Sequence, residues 1–229
     1  MKESVASFLS NMLSVILGIF ITFMIQGMID RSHDRQNTRS SLELVRSELA
    51  QNIEDISTMR DYMYQEKQSA EYILANKDSL DKCPVDSLIF HSGMIFADVS
   101  FTLCQDALEL LKMSSVFQKI ENNDLSMKII RAYDASGTIV SILNRHIASR
   151  DARFENSIDK ETAGVFASGG NIDIKKFVET DYGIFAIKWL TTQPSPENFT
   201  DVTDLEEAIS AIDKYLKIKK ENEEVLQQR

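Results

Sequence analysis

Apolar residues along this chain fall into separable patterns, each predicting a different element. The first is residues 8–29, a run with no Lys, Arg, Asp or Glu. As a helix its 22 residues would be about 33 Å long, matching the hydrocarbon thickness of a bilayer. The run ends in Gln26-Gly27-Met28-Ile29-Asp30-Arg31, which is no cleavage site, so an uncleaved transmembrane anchor is predicted rather than a removed signal. Within it, Ser10, Ser14, Gly18, Thr22 and Gln26 recur at every fourth position. Neighbouring pairs share a helix face, and small or hydrogen-bonding residues on such a face let two helices approach in lipid. The alternative is ordinary membrane-helix composition.

Residues 28–83 contain neither Gly nor Pro, which predicts a long helix over 30–82. On it, Leu42, Val45, Leu49, Ile56, Met59 and Met63 take a and d positions of a heptad frame, with Asn52 at the missing d position. Such a seam suits a coiled coil, in which a polar Asn fixes register and oligomer state. Leu44 and Ile53 broaden it, so packing within the chain's own domain is an equal alternative.

Lys82-Cys83-Pro84 stops that helix. A short helix capped by Asp86 or Ser87 follows through Phe96, then one capped by Asp98 or Ser100 with Phe101, Cys104, Leu108 and Leu111 on its apolar face. The turn at 121–124 opens another long helix through Ile147, and 149–171, with Gly164, Gly169 and Gly170, is predicted to be a loop. "YGIFAIKWL" at 182–190 is taken as a helix by context. After the break at 193–196, Thr203 and Glu206 read as a capping box opening a terminal helix over 204–226.

The predicted fold is therefore mainly α. A 1–7 tail and an 8–29 anchor lead into a 30–82 juxtamembrane helix, and 83–229 completes an antiparallel, bundle-like helical domain with its loop near 150–171. Eight Gly and three Pro agree with helix. A formal charge of −10 opposes nucleic-acid binding, which needs a basic face.

Cys83 and Cys104 would pair if the domain met an oxidising compartment; the competing reading is two free thiols, with Cys104 buried on an apolar stripe. His33, His91 and His146 lack metal-site spacing, and no hydrolase, nucleotide-loop or zinc-protease motif occurs. No catalytic residue, metal or cofactor is expected, and the carboxylates are read as solvated.

The stretches "VILGIFITFMI", "LELVRSELAQNIEDI" and "DALELLKMSSVFQKIENNDLSMKIIRAYD" resemble a Bacteroidota family of uncharacterised, single-span membrane proteins. Leu110 or Leu111, Ile120, Asn122, Leu125, and Ile129 or Ile130 with Tyr133 match its later signature. The resemblance implies no catalytic residues, and it implies a periplasmic domain. Arg31, Arg35, Arg39 and Arg46 imply a cytoplasmic one by the positive-inside bias; the family's orientation is adopted. The expected function is a non-enzymatic inner-membrane scaffold that binds a protein partner or a second copy through helix contacts. The alternative is a sensor input domain with a ligand pocket near 149–171 and Trp189.

Overall fold

A computed structural model of the chain describes residues 2–114, 116–120, 122–161 and 173–227; the side chains of 2–16, 18, 25, 27, 29–31, 156–161 and 218–227 lie outside that description. The described residues form α1 (Lys2–Ala75), α2 (Val85–Ile95), α3 (Asp106–Met113), α4 (Val116–Lys119), α5 (Asn123–Glu161), α6 (Ile174–Glu179), α7 (Asp181–Thr191) and α8 (Thr203–Gln227), with two 3₁₀ turns at Lys77–Lys82 and Pro196–Asn198. No strand occurs among them.

The architecture is an up-down-up-down bundle whose second leg is broken. α1 is a single rod of 74 residues, about 111 Å long, that carries the predicted tail, anchor and juxtamembrane segment without interruption. The chain then descends beside it: Ser69 meets His91, Asn52 meets Cys104, Glu48 meets Ala107 and Asp34 meets Lys119. α5 climbs parallel to α1, with Tyr133 opposite Glu48 and Arg150 opposite Glu66. α8 descends again, fixed by Arg60 to Thr200 and Arg46 to Asp213.

The core divides in two. Nearer residue 29, Leu42, Val45, Leu49, Ile56, Met59 and Met63 are buried against Leu111, Leu125, Ile129, Leu143, Leu205 and Ile212. The heptad seam is thus covered by the chain's own later helices, so the predicted oligomer seam is an intramolecular core. Farther out, Ile73, Phe154, Phe177, Ile187 and Leu190 form a second cluster. There Phe96 packs edge-on against Phe154 and Phe177.

Several boundaries differ from the sequence expectation for identifiable reasons. α1 ends at Ala75, seven residues before 82, because Asn76 turns its amide back onto the Tyr72 carbonyl at 2.9 Å and a 3₁₀ turn follows. The helix expected from Asp98 or Ser100 begins only at Asp106, leaving 97–105 irregular. α5 continues through Gly137 to Glu161, so 149–161 is helix rather than loop; 162–172, with Gly164, Gly169 and Gly170, lies outside the described residues. Thr203 is the first residue of α8 instead of its cap, and its amide donates to Asp201 Oδ1 at 3.0 Å.

Candidate functional site

The inward face of α1 is not purely apolar. Glu48, Asn52, Glu66 and Ser69 are buried on it. Glu48 and Glu66 stand 18 residues apart, five turns of a 3.6-residue helix, so both carboxylates point inward. Buried backbone polar groups need partners, and the broken second leg has many that no helix or sheet satisfies. α1 supplies them.

Asn52 is wholly buried and brackets Cys104, donating to its carbonyl at 2.9 Å and accepting from its amide at 3.1 Å. Glu48 accepts from the Ala107 amide at 2.8 Å and from the Tyr133 hydroxyl at 2.5 Å. α3 has no side-chain cap of its own at Gln105, so the Glu48 carboxylate at its N-terminus serves as a cap delivered from another helix. Burial, and then the bond to Glu48 and its charge, raises the Tyr133 pKa. That phenol is a permanent donor at neutral pH.

The second polar cluster joins the two halves of the core. Arg150 Nη1 donates to Glu66 Oε1 at 3.0 Å and to the Tyr62 hydroxyl at 2.9 Å, Nη2 donates to the Ala97 carbonyl at 2.7 Å, and Nε donates to Asp151 at 2.9 Å. Tyr62 in turn donates to the Met94 carbonyl at 3.1 Å. Burial, reinforced by the Glu66 charge and opposed by Arg150, holds the Tyr62 phenol protonated. Arg150 and Glu66 are both nearly inaccessible, and removing one member of such a pair costs roughly 3–5 kcal/mol because a charge is stranded. Beside them, the His146 ring stacks on Trp189 of α7 at 5.3 Å, and the Arg153 guanidinium lies 4.3 Å from the same indole.

The cysteines are two free thiols, Cys83 half-buried and Cys104 exposed. Cys83 lies at the top of the broken leg against the outer core, and Cys104 lies midway along it beside Asn52 and Glu48. The pairing conditional on an oxidising compartment is absent from this structure, and so is the buried apolar stripe for Cys104, because 101–105 is not helical. The Cys104 pKa is raised: the Asp106 amide favours the thiolate, but the Glu48 hydrogen bond, burial and two nearby carboxylates outweigh it. A thiol held protonated is a poor nucleophile.

Of the predicted anchor face, Thr22 and Gln26 are exposed, while the side chains of Ser10, Ser14 and Gly18 lie outside the described residues. Among the described residues no helix is long and apolar enough to cross a membrane, and no group of His, Cys, Asp or Glu could hold a metal ion. The pocket expected near 149–171 and Trp189 falls largely on residues outside those described, 162–171; Trp189 itself packs on α5. A groove of about 680 Å³ opens between α3 and α5, lined by Leu108, Lys112, Tyr133, Asp134, Ile142 and Arg145.

Sequence reasoning missed Glu48, Glu66 and Arg150, treating the acids as solvated, and it gave Tyr133 no polar partner. The signal was there: Glu48, Asn52 and Glu66 fall in register with the apolar face of the same helix. Comparison with protein-family models, curated proteins and solved structures finds no match.

Proposed function

We propose that this chain is a single-pass, non-enzymatic scaffold of a bacterial inner membrane, anchored by residues 8–29 and acting through helix contacts with a protein partner or a second copy. The observation that carries the reading is the surface of α1 between residues 17 and 28. Leu17, Ile19, Phe20, Ile21, Phe23, Met24 and Met28 are each at least half exposed, and at 100° per residue they cover an arc of about 200° of the helix, with Thr22 and Gln26 exposed on the remaining side. A soluble domain rarely leaves so continuous an apolar surface uncovered, whereas a broad apolar face suits lipid and the narrower polar side is the one a neighbouring helix would cover. The anchor and the spine of the domain are one helix, so the domain stands directly on the membrane: Asp34, held by Lys119 at 2.5 Å, is five residues from Ile29, or about 8 Å along the axis.

The buried ionisable side chains support binding over catalysis, because they are engaged by backbone groups and by each other. With the heptad seam occupied internally, self-association would run through the anchor face. The back of α1 offers no substitute: Ser47, Glu54, Asp61 and Gln65 are exposed there, and two parallel copies would oppose like charges. Gly18→Ile is expected to weaken association in a membrane two-hybrid assay; an unchanged signal would remove the anchor face from the account. The domain is placed in the periplasm, following the family resembled, and a reporter fused after Arg229 tests that side.

A second reading, a sensor input domain, draws support from the groove between α3 and α5, whose volume is in the range of small-molecule sites. Ligand-dependent thermal shifts that disappear in Arg145→Ala would favour it.

A further inference from the structure

The Nε2 atom of His146 is buried without a hydrogen-bond partner among the described residues. It lies 3.9 Å from Glu66 Oε2, beyond hydrogen-bonding distance and too close for a water to bridge. Glu66 is asymmetrically engaged: Oε1 accepts from Arg150 at 3.0 Å, while no hydrogen bond reaches Oε2 among the described residues. A face of the imidazole carries the only tryptophan in the chain, Trp189, stacked at an interplanar angle of 22°. α1, α5 and α7 therefore meet at one imidazole, and none of its uncharged forms completes the contact. With the proton on Nδ1, a lone pair on Nε2 faces a carboxylate oxygen. With the proton on Nε2, the donor falls about 1 Å short.

We propose that His146 is a proton-operated joint between α1, α5 and α7. Protonation gives Nε2 a charge-assisted donor aimed at the idle Glu66 oxygen, the gap closes toward the 2.7–2.9 Å of such bonds, and the stacked indole follows the ring. Histidine is the side chain that ordinarily changes charge between pH 5 and 8. The charged and titratable groups around the ring are Glu66 and Tyr62 from α1, and Arg150, Asp151 and Arg153 from α5. α7 contributes the neutral Trp189 ring, its Lys188 being exposed, and the irregular 97–105 segment contributes the Ala97 carbonyl, its Asp98 being exposed. Arg150 already faces Oε1, so the imidazolium meets a carboxylate with one oxygen unoccupied instead of displacing an existing bond. An added cation beside the indole face is itself favourable. The proposal stands on the geometry of the domain and is independent of the membrane reading.

Because Trp189 is the single indole, tryptophan emission reports the surroundings of that ring, with His146 on it and Arg153 4.3 Å away, and the variants assign the change. The full-length chain in detergent is titrated from pH 8 to pH 5 while emission and acrylamide quenching are followed. The wild type is expected to show one sigmoidal loss of emission with falling acrylamide access. His91→Gln should keep that step and His146→Gln should lose it. Glu66→Gln should lose the change in access, since the anion that draws the ring is gone. In the wild type, the imidazole proton signal showing contact with Trp189 should titrate with the same midpoint as the emission, which decides the matter even if a variant does not fold. A flat wild-type profile, a step retained in His146→Gln, or two different midpoints would overturn the proposal.

Discussion

The half of the domain nearer residue 29 and the half beyond residue 66 share α1 as a spine but are held to it by different means. In the nearer half, long helices meet along aliphatic stripes: Leu42, Val45, Leu49 and Ile56 of α1 face Leu125, Ile129 and Leu143 of α5 and Leu205 and Ile212 of α8. In the outer half, the short helices α2, α6 and α7 gather around Phe96, Phe154 and Phe177, and the Arg150–Glu66–Tyr62 cluster separates that group from the first. Periodic burial along a long helix forgives local error, because many side chains share the contact. Short helices have few such side chains, and they rely on single polar bonds to place their ends.

The largest expected effect is at the boundary. Arg150→Met should destabilise the domain by roughly 3–5 kcal/mol in chemical denaturation, since Glu66 remains buried without its cation and the Ala97 carbonyl loses its donor. If Glu66→Leu restored stability in that background, stranded charge would be confirmed as the cause. Phe177→Ala should cost about 3–5 kcal/mol, and hydrogen exchange should quicken in α2, α6 and α7 with little change in α8. Equal loss of protection in both halves would mean that they unfold as one unit.

Gly183→Ala is a finer probe of the outer half. A Cβ at Gly183 would come within 2.0 Å of the Phe177 carbonyl oxygen, so α6 and α7 must separate, at a cost of about 1–3 kcal/mol; Gly137→Ala in α5, where a Cβ meets nothing, should be neutral or mildly stabilising. The smallest effect belongs to His91, whose pKa burial lowers while it accepts or donates to Ser69 at 3.0 Å and stacks on Tyr72. The unfolded chain then binds that proton more readily than the folded one, so His91 lowers stability as pH falls below about 6.5. His91→Gln should flatten that part of the stability profile.

The same contrast explains what was legible in the sequence. α1, α5 and α8 were readable because their apolar residues repeat over many turns, and the assignment of 182–190 to helix holds in α7. In the broken second leg the short helix expected through Phe96 is α2, but the segment after it was not readable. Its apolar residues Phe101, Leu108 and Leu111 have helical spacing, yet 97–105 is irregular because Asn52 and Arg150, 52 and 53 residues away, bond its backbone. Local pattern carries no trace of a partner so distant. The heptad seam was read in the right register, and its cover was open between the chain's own helices and a second copy; later segments of the same chain provide it. The buried carboxylates were missed because charge was taken as a sign of exposure, whereas Glu48 and Glu66 lie on the inward face of α1.

The central claim is that one helix is both membrane anchor and domain spine, and cysteine accessibility tests it most directly. In a Cys83→Ser, Cys104→Ser background, Leu17→Cys and Ser47→Cys are each treated with a membrane-impermeant maleimide, both in sealed membranes opened to either side and after detergent. The account predicts that Ser47→Cys reacts from one side and that Leu17→Cys reacts only once detergent is present. Labelling of Leu17→Cys in intact membranes as readily as Ser47→Cys would contradict it.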